Sequence, residues 1–447
     1  MSEVGIIAVG GYNEVGKNMT SIRVGSDVII MDMGLMLDRV QIYEDVETEK
    51  MHSLDLIKMG TIPDDTIMQN VDGTVHAIIC SHGHLDHIGA IPKLAHRYDA
   101  PIIATPFTTD LISHQIKKER RFGVDNPIQP LEAGKTCQLT ENISLEFVRV
   151  QHSIPDAVFP ILHTPKGAIV YANDFKFDRT PIVGDPPDIS RLRSIGKEGV
   201  LCMIVESTRV NVRGKAPSEK IAKDMVMDVL LSGEDADDGV VVTTFSSHIA
   251  RIASLIEAAE KMDRIPVFMG RSMSEYLRTA QKRKYIKFPE QFEMCGNRRS
   301  VDKMLKRIMD EGKDKYMSIV TGHQGEPNAV LNRIACDTTP YEIDAGERVV
   351  FSASKIPSPL NEANRYSMET KLEMRGARIY DNVHVTGHAA REDHWELLKI
   401  INPEHVIPAH GNLKMISAYS ELAEEVGYVL GDTVHILRNG QELLIDV

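Results

Sequence analysis

Six residues, His82-Gly83-His84-Leu85-Asp86-His87, place three imidazoles and one carboxylate on one short stretch. Neutral imidazole and carboxylate are the donors that hold zinc and similar divalent ions. His82 and His84 are two apart, so on extended backbone they face the same way. Asp86 and His87 follow a bend and address a neighbouring point. The spacing predicts two adjacent metals rather than one. The alternative is a histidine-rich loop that is simply solvated, but donors this dense rarely serve packing.

The elements that must hold these groups can be read on either side. Residues 75–80 (Val-His-Ala-Ile-Ile-Cys) read as a buried strand. After the cluster, Ile88, Ile91, Leu94 and Tyr98 keep a helical spacing, with Pro92 inside the first turn. A strand end opening into a helix is where α/β sheets commonly carry catalytic groups. Two metals need further donors, and three later apolar runs each end in one: 145–150 before His152, 168–173 before Asp174, and 405–409 before His410. Taken singly, each reads equally well as a polar cap on a turn. Residues 28–31 form another apolar run, ending at Asp32.

His-Xaa-His-Xaa-Asp-His, followed in order by His152, Asp174 and His410, resembles the motif set of the metallo-β-lactamase superfamily. The resemblance implies that His82, His84 and His152 hold one metal, that Asp86, His87 and His410 hold the other, and that Asp174 bridges them. It also implies that Asp32 orients metal-bound histidines without binding metal itself. A turn-capping Asp32 is the alternative.

Composition sets the frame. The chain has 447 residues, 42% hydrophobic and 26% charged, which suits a soluble globular protein of two or three domains. No apolar run approaches the ~20 residues of a membrane span. The start, Met1 to Ile7, lacks a basic segment, so no signal peptide is expected. Five widely spaced cysteines (Cys80, Cys137, Cys202, Cys295, Cys336) point to reduced thiols in the cytoplasm. Net charge is −13, unevenly spread: residues 206–383 carry 28 Lys+Arg against 27 Asp+Glu, leaving 23 against 37 for the rest. A near-neutral segment with basic clusters beside an acidic body is compatible with RNA binding in one groove.

Along the chain, Gly10 to Asn18 is a glycine-rich loop without the Gly-Lys-Ser/Thr ending of a phosphate loop, so a hairpin is expected. Residues 35–74 read as irregular. A helix is predicted from Thr108 to Arg121, ending in the basic cluster 117–121, which reads as a solvated helix end or as an RNA contact. Strands at 144–150 and 159–174 deliver His152 and Asp174, and 181–187 reads as a loop. From residue 206 strands and helices alternate: strands at 240–245, 266–270, 316–321, 348–353 and 377–381, and helices at 248–262, 273–285, near 298–311 and from 360. That is the pattern of a parallel sheet with crossover helices. The acidic stretch 233–239 reads as a solvated connection.

An α/β unit thus stands between the first metal motifs and His410. This arrangement resembles the β-CASP group of metallo-β-lactamase nucleases. Glu206, His388 and His410 match that group's three added motifs. The loops at 10–18, 321–327 and 351–357 narrow the resemblance to the RNase J family, in its short archaeal form, since the sequence ends at Val447 without the further C-terminal domain of bacterial members. The implied fold is an α/β metallo-β-lactamase αββα sandwich interrupted by a β-CASP domain with a mainly parallel sheet. The implied parts are 1–205, 206–383 and 384–447.

The implied activity is metal-dependent cleavage of RNA 5′→3′ from a 5′-monophosphate end. Two zinc ions, with manganese or magnesium as alternatives, clamp the phosphodiester and acidify a water. Asp86 holds the attacking oxygen, His388 donates a proton to the leaving 3′ oxygen, and Glu206 orients His388. The terminal phosphate is expected among Ser352, Ser354 and the run His384, Val385, Thr386, Gly387, His388. Phe245-Ser246-Ser247-His248 is a candidate for contacting an entering base, with a serine helix cap as the alternative for Ser247. The basic run 282–287 reads as a solvated helix end or as part of the RNA path. A homodimer is expected from the resemblance. The other function in view is an endoribonuclease for RNA 3′-end processing, and, from a different class, a non-catalytic RNA-binding subunit. Such subunits lose metal donors, and here all seven positions are filled.

Overall fold

The structure, a computed structural model, describes residues 3–42, 51–232, 238–356 and 358–445. Most of the acidic stretch at 233–239 (233–237), part of the irregular stretch at 35–74 (43–50) and Pro357 of the 351–357 loop lie outside the described residues. The chain divides into two compact units. One comprises Met1–Phe177, Pro186–Ala216 and Gly387–Val447; the other comprises Asp178–Asp185 and Pro217–Thr386. The boundaries expected from sequence stood at 205/206 and 383/384.

The first unit carries two large sheets. The seven-stranded one runs in the order Gln441–Ile445, Val4–Gly10, Met19–Val24, Asp27–Met31, Thr74–Ile79, Ile102–Ala104, Ile128–Pro130. Its pairs are antiparallel as far as Asp27–Met31 and parallel from there on. The six-stranded one runs His405–Ala409, Val200–Glu206, Gly167–Ala172, Val158–Thr164, Ser144–Arg149, Thr136–Gln138. Its first two pairs are parallel and the others antiparallel.

Alternation along the strands decides where each side chain goes. Ile169, Tyr171 and Ile204 join Ile29, Met31, Ala77 and Ile79 in one buried core shared by both sheets. Val170, Met203 and Val205 point the other way. They pack with Leu192 and Ile195 of the helix Ile189–Glu198, Leu397 and Leu398 of Arg391–Ile401, and Tyr419 and Leu422 of Leu413–Val426. Two sheets face to face with helices outside make the expected αββα sandwich.

The second unit has one six-stranded sheet in the order Glu293–Cys295, Ile265–Met269, Tyr316–Val320, Val240–Thr243, Arg348–Phe351, Arg378–Tyr380, with every pair parallel. The helices Ile249–Lys261, Arg271–Lys282, Arg298–Glu311 and Pro359–Met374 fall where the alternating pattern predicts them. Its core gathers Val241, Val267, Val320, Val349 and Phe351 with Met304, Leu305, Met368 and Leu372.

Two expectations are corrected. The helix expected after His87 is broken into Leu85–Ile88, Ile91–Leu94 and a 3-10 turn Ala95–Arg97, because Pro92 can only open a helix and starts a new one there. The stretch 35–74 is not wholly irregular. It contains Leu37–Ile42, Ser53–Lys58 and a 3-10 segment Asp65–Asn70, each too short to print a helical period.

The 82–87 loop is docked by main chain rather than by side chains. Met33 N donates to His87 O at 2.7 Å, Leu35 N to Leu85 O at 2.9 Å, Asn18 N to Asp86 O at 3.0 Å, and Gly34 N to Asn18 O at 3.0 Å. The approach is so close that a Cβ on Gly34 would stand 1.6 Å from the Asp86 carbonyl oxygen. Only glycine permits that contact. Gly34→Ala is therefore expected to cost about 1–3 kcal/mol, as overpacking typically does, and to lower metal content. Urea unfolding and metal analysis on the purified variant check both.

Candidate metal centre

Strand ends position the polar groups. Met31 pairs with Ile79 in parallel, so Asp32 and the 82–87 loop leave the first sheet side by side. In the second sheet Ala172 pairs with Val205 and Glu206 with Ala409, so Asp174, Glu206 and His410 leave three adjacent parallel strands. Asp32, Asp174 and His410 have φ of +57°, +31° and +46°. The left-handed region is unfavourable for residues with a Cβ. It turns each side chain away from the line of its strand.

The donors converge in two groups that share Asp174. In the first, His82 Nε2 and His152 Nε2 stand 3.1 and 3.0 Å from His84 Nδ1, and each is 3.5 Å from Asp174 Oδ2. In the second, His87 Nε2 and His410 Nε2 are each 3.7 Å from Asp86 Oδ2, and stand 3.4 and 3.3 Å from Asp174 Oδ2 and Oδ1. All seven residues predicted to bind metal belong to these groups.

Hydrogen bonds behind the rings fix which nitrogen is bare. His87 Nδ1 bonds Asp32 Oδ2 at 2.7 Å, His152 Nδ1 bonds the Gly387 carbonyl at 2.8 Å, and His410 Nδ1 bonds Asn18 Oδ1 at 2.9 Å. Each such ring carries its proton on Nδ1 and turns the Nε2 lone pair inward. Ser81 Oγ donates to Asp32 Oδ2 at 2.9 Å and so receives His82 Nδ1–H at 3.0 Å, which leaves the Nε2 of that ring bare as well.

The residues fit divalent cations. Donors 2.0–2.1 Å from an ion at tetrahedral angles stand roughly 3.3–3.4 Å apart, and the distances here bracket that figure. Asp174 Oδ1 is buried without a hydrogen-bond partner. A carboxylate oxygen left bare among lone pairs is costly unless a cation completes it.

Electrostatics separate the groups further. Burial, and then the neighbouring rings, hold His82 and His84 well below the ordinary histidine value; burial takes His152 down to about 4. These three are neutral ligands. Burial also opposes charge on His87, but the carboxylates of Asp174, Asp86 and Asp32 outweigh it and raise the group well above its usual value. A proton there does the work that a metal dication takes over, so loading releases it. Burial opposes the charge on Asp174, and His410, His87 and His388 outweigh that and hold its carboxyl well below the usual range.

Glu206 is a different kind of buried carboxylate. Its oxygens accept from Phe175 N at 2.9 Å, from the Thr208 hydroxyl, and from His388 Nδ1 at 2.8 Å. Burial disfavours the ionised form, but His388 outweighs it and Glu206 falls to about 2. Burial likewise opposes charge on His388, and Glu206 and Asp174 lift it to about 9. Glu206 and His388 are thus an ion pair next to the metal donors. His388 lies 4.9 Å from His152, ring to ring.

The remaining site residues lie in the second unit or at its border. Ser354 is exposed, and His384, Thr386 and Ser247 are partly exposed. Val385 is buried, so only its main chain can touch a ligand. The Gly387 carbonyl is committed to His152. Ser352 departs from expectation: its hydroxyl is fully buried, accepts from Arg251 Nη1 at 2.8 Å and donates to the Val383 carbonyl at 2.9 Å. It supports an arginine instead of facing solvent. Nor is Ser247 a helix cap. The capping position of Ile249–Lys261 belongs to His248. Phe245 packs on His323, ring centroids 4.1 Å apart.

Sequence reasoning missed Asn18 and Ser81. Asn18 ties the glycine-rich loop to Asp86 and His410; Ser81 links Asp32 to His82. The only signal was position: Ser81 directly precedes the cluster, and Asn18 ends the loop.

Comparison with known proteins agrees with the geometry. Residues 64–185 match a beta-lactamase superfamily domain, 237–368 the beta-CASP domain of ribonuclease J, and 373–437 a Zn-dependent metallo-hydrolase RNA specificity domain. Ribonuclease J of Methanocaldococcus jannaschii is 54% identical over 98% of this chain and 97% of its own. Ribonuclease J of Pyrococcus abyssi is 49% identical over 97% and 96%. Ribonuclease J 1 of Streptococcus pyogenes is 31% identical over 99% of this chain and 75% of its own. A crystal structure of a protein of unknown function from Enterococcus faecalis shares the fold, with a TM-score of 0.66 at 16% identity over 99% of this chain and all of that one. With donors, orienting partners and interrupted architecture all in place, this chain belongs to the ribonuclease J family.

Proposed function

We propose that this chain hydrolyses single-stranded RNA 5′→3′ from a 5′-monophosphate end, with two zinc ions in the centre and manganese or magnesium as alternatives. The observation that carries the reading is the bare, buried Asp174 oxygen between two sets of inward-facing histidines. When bound, the ions supply Lewis acidity to phosphate oxygens and lower the pKa of water.

The chain's own groups divide the remaining work. Asp86, the more exposed of the two shared carboxylates, orients the attacking oxygen. His388, its Nδ1 engaged by Glu206, gives the proton on Nε2 to the leaving 3′ oxygen. Glu206 keeps that ring charged and aligned. Asp32 does the same for the neutral tautomer of His87. The terminal monophosphate is received at His384, with Thr386, Ser354 and Ser247 as further polar contacts.

A cytoplasmic setting is supported by five free thiols. Among the described residues no helix is long and apolar enough to cross a membrane. The homodimer is carried over from the family resemblance.

Asp86→Asn and His388→Ala are each expected to lower kcat by roughly 10²–10⁴-fold, the usual worth of a positioned acid or base, with RNA affinity largely kept. Single-turnover cleavage beside a binding titration reads the two separately, and unchanged turnover would refute the roles. Removing the metal with a chelator should lower the unfolding temperature and abolish cleavage, and zinc should restore both. Asp174→Asn should bind less metal and lose most of that thermal shift. Digestion of 5′-labelled RNA decides the mode: early release of labelled mononucleotide marks exonuclease action, whereas internal fragments alone mark the endonuclease.

A further inference from the structure

Inside the second unit lies a charged pair that the chemistry above does not use. Arg251, on the helix Ile249–Lys261, is fully buried. Glu219, the first residue of the helix Glu219–Leu231, is buried beside it. Arg251 Nε donates to Glu219 Oε1 at 2.6 Å and Nη2 to Oε2 at 3.1 Å. Taking two charges out of water costs several kcal/mol per ion, and packed apolar side chains of similar size commonly stabilise as well or better. Such a pair calls for a reason besides stability.

The other end of the guanidinium supplies one. Nη1 donates to Ser352 O and Ser352 Oγ at 2.8 Å each, to Val383 O at 3.1 Å, and stands 3.3 Å from His384 Nδ1. Ser352 Oγ in turn donates to Val383 O at 2.9 Å. Arginine has no acceptor and does not lose its proton. The His384 Nδ1 that faces it must therefore be the bare nitrogen, and a neutral His384 carries its proton on Nε2. Protonating Nδ1 as well would set N–H against N–H and cation against cation. The guanidinium thus fixes ring orientation, tautomer and charge together. What remains is a neutral ring with one directed N–H, which can donate to a phosphate oxygen without adding a positive charge.

We propose that Arg251, clamped by Glu219 and Ser352, is a positioning residue that presents His384 as a neutral Nε2–H donor to the terminal phosphate of the RNA. This rests on the reading that His384 receives that phosphate. It also accounts for the full burial of Ser352, which acts through Arg251.

The test uses the full-length, metal-loaded enzyme and a short oligoadenylate bearing either 5′ monophosphate or 5′ hydroxyl. The double substitution Arg251→Met with Glu219→Leu removes both charges and keeps volume. We expect it to retain the unfolding temperature, to raise KM for the 5′-monophosphate RNA by roughly 10–100-fold, the worth of a charge-assisted hydrogen bond, and to leave kcat and the KM for 5′-hydroxyl RNA little changed. His384→Ala should raise the same KM. If His384→Ala raises it and the folded double variant does not, the role of Arg251 is overturned while the phosphate site stands. If His384→Ala leaves the preference for the monophosphate intact, the phosphate reading fails and this inference with it. A second measurement needs no variant: nitrogen-15 NMR of histidine-labelled wild type should show His384 protonated on Nε2 and bare on Nδ1, and the opposite tautomer would overturn the proposal even if the double variant cannot fold.

Discussion

The first unit is organised by one electrostatic constraint. Bare nitrogens and carboxylate oxygens are held 3.0–3.7 Å apart around the buried Asp174 carboxylate. Lone pair against lone pair is repulsive, and a low-dielectric surround strengthens the repulsion. Without a cation the cluster can only recruit a proton, as the raised His87 does. The scaffold must therefore hold these groups where they would not go unaided. The main-chain contacts at Gly34 and the hydrogen bond from each of four rings to a rigid partner are that hold.

Backbone conformation pays part of the cost. Asp32, Asp174 and His410 each take a left-handed φ at a strand end, a conformation that costs of order 1 kcal/mol or more per residue when it carries a side chain. The sheets make it sustainable. Each of the three leaves a strand that is paired on both sides and buried in the shared core. Local strain cannot relax without breaking pairing or packing in rigid neighbours. Residues far apart in sequence, from Asp32 to His410, therefore behave as one preorganised set.

How much of this the sequence discloses depends on whether the physical signal is local. His82 to His87 is legible because its density has no packing explanation. His152, Asp174 and His410 are legible because each ends an apolar run of strand length. The second unit is legible because a parallel sheet needs apolar strands separated by crossover helices, and both periods print clearly between residues 240 and 381. What fails is what tertiary contact decides. Six-residue helices such as Ser53–Lys58 leave no period. Pro92 splits a continuous apolar spacing into two helices. Ser352 looks like a phosphate-binding hydroxyl until Arg251, about a hundred residues away, is found against it. Asn18 has no chemistry of its own; its importance lies wholly in His410, almost four hundred positions further on.

Two buried carboxylates a few residues from strand ends show why residue type alone does not assign a role. Asp174 and Glu206 both lie with His388 in a group whose spacing would suit a metal, and both stay ionised against strong desolvation. Their partners differ. Glu206 is saturated by a main-chain N–H, a hydroxyl and an imidazolium, so its charge is already neutralised by protons it does not own. Asp174 has an oxygen that no donor reaches, and the rings around it offer lone pairs instead of protons. A carboxylate whose acceptors are filled can orient a neighbour but has little left for a cation; one whose acceptors are empty has nothing else to bind. Hydrogen-bond satisfaction therefore draws the line between the metal ligand and the orienting residue.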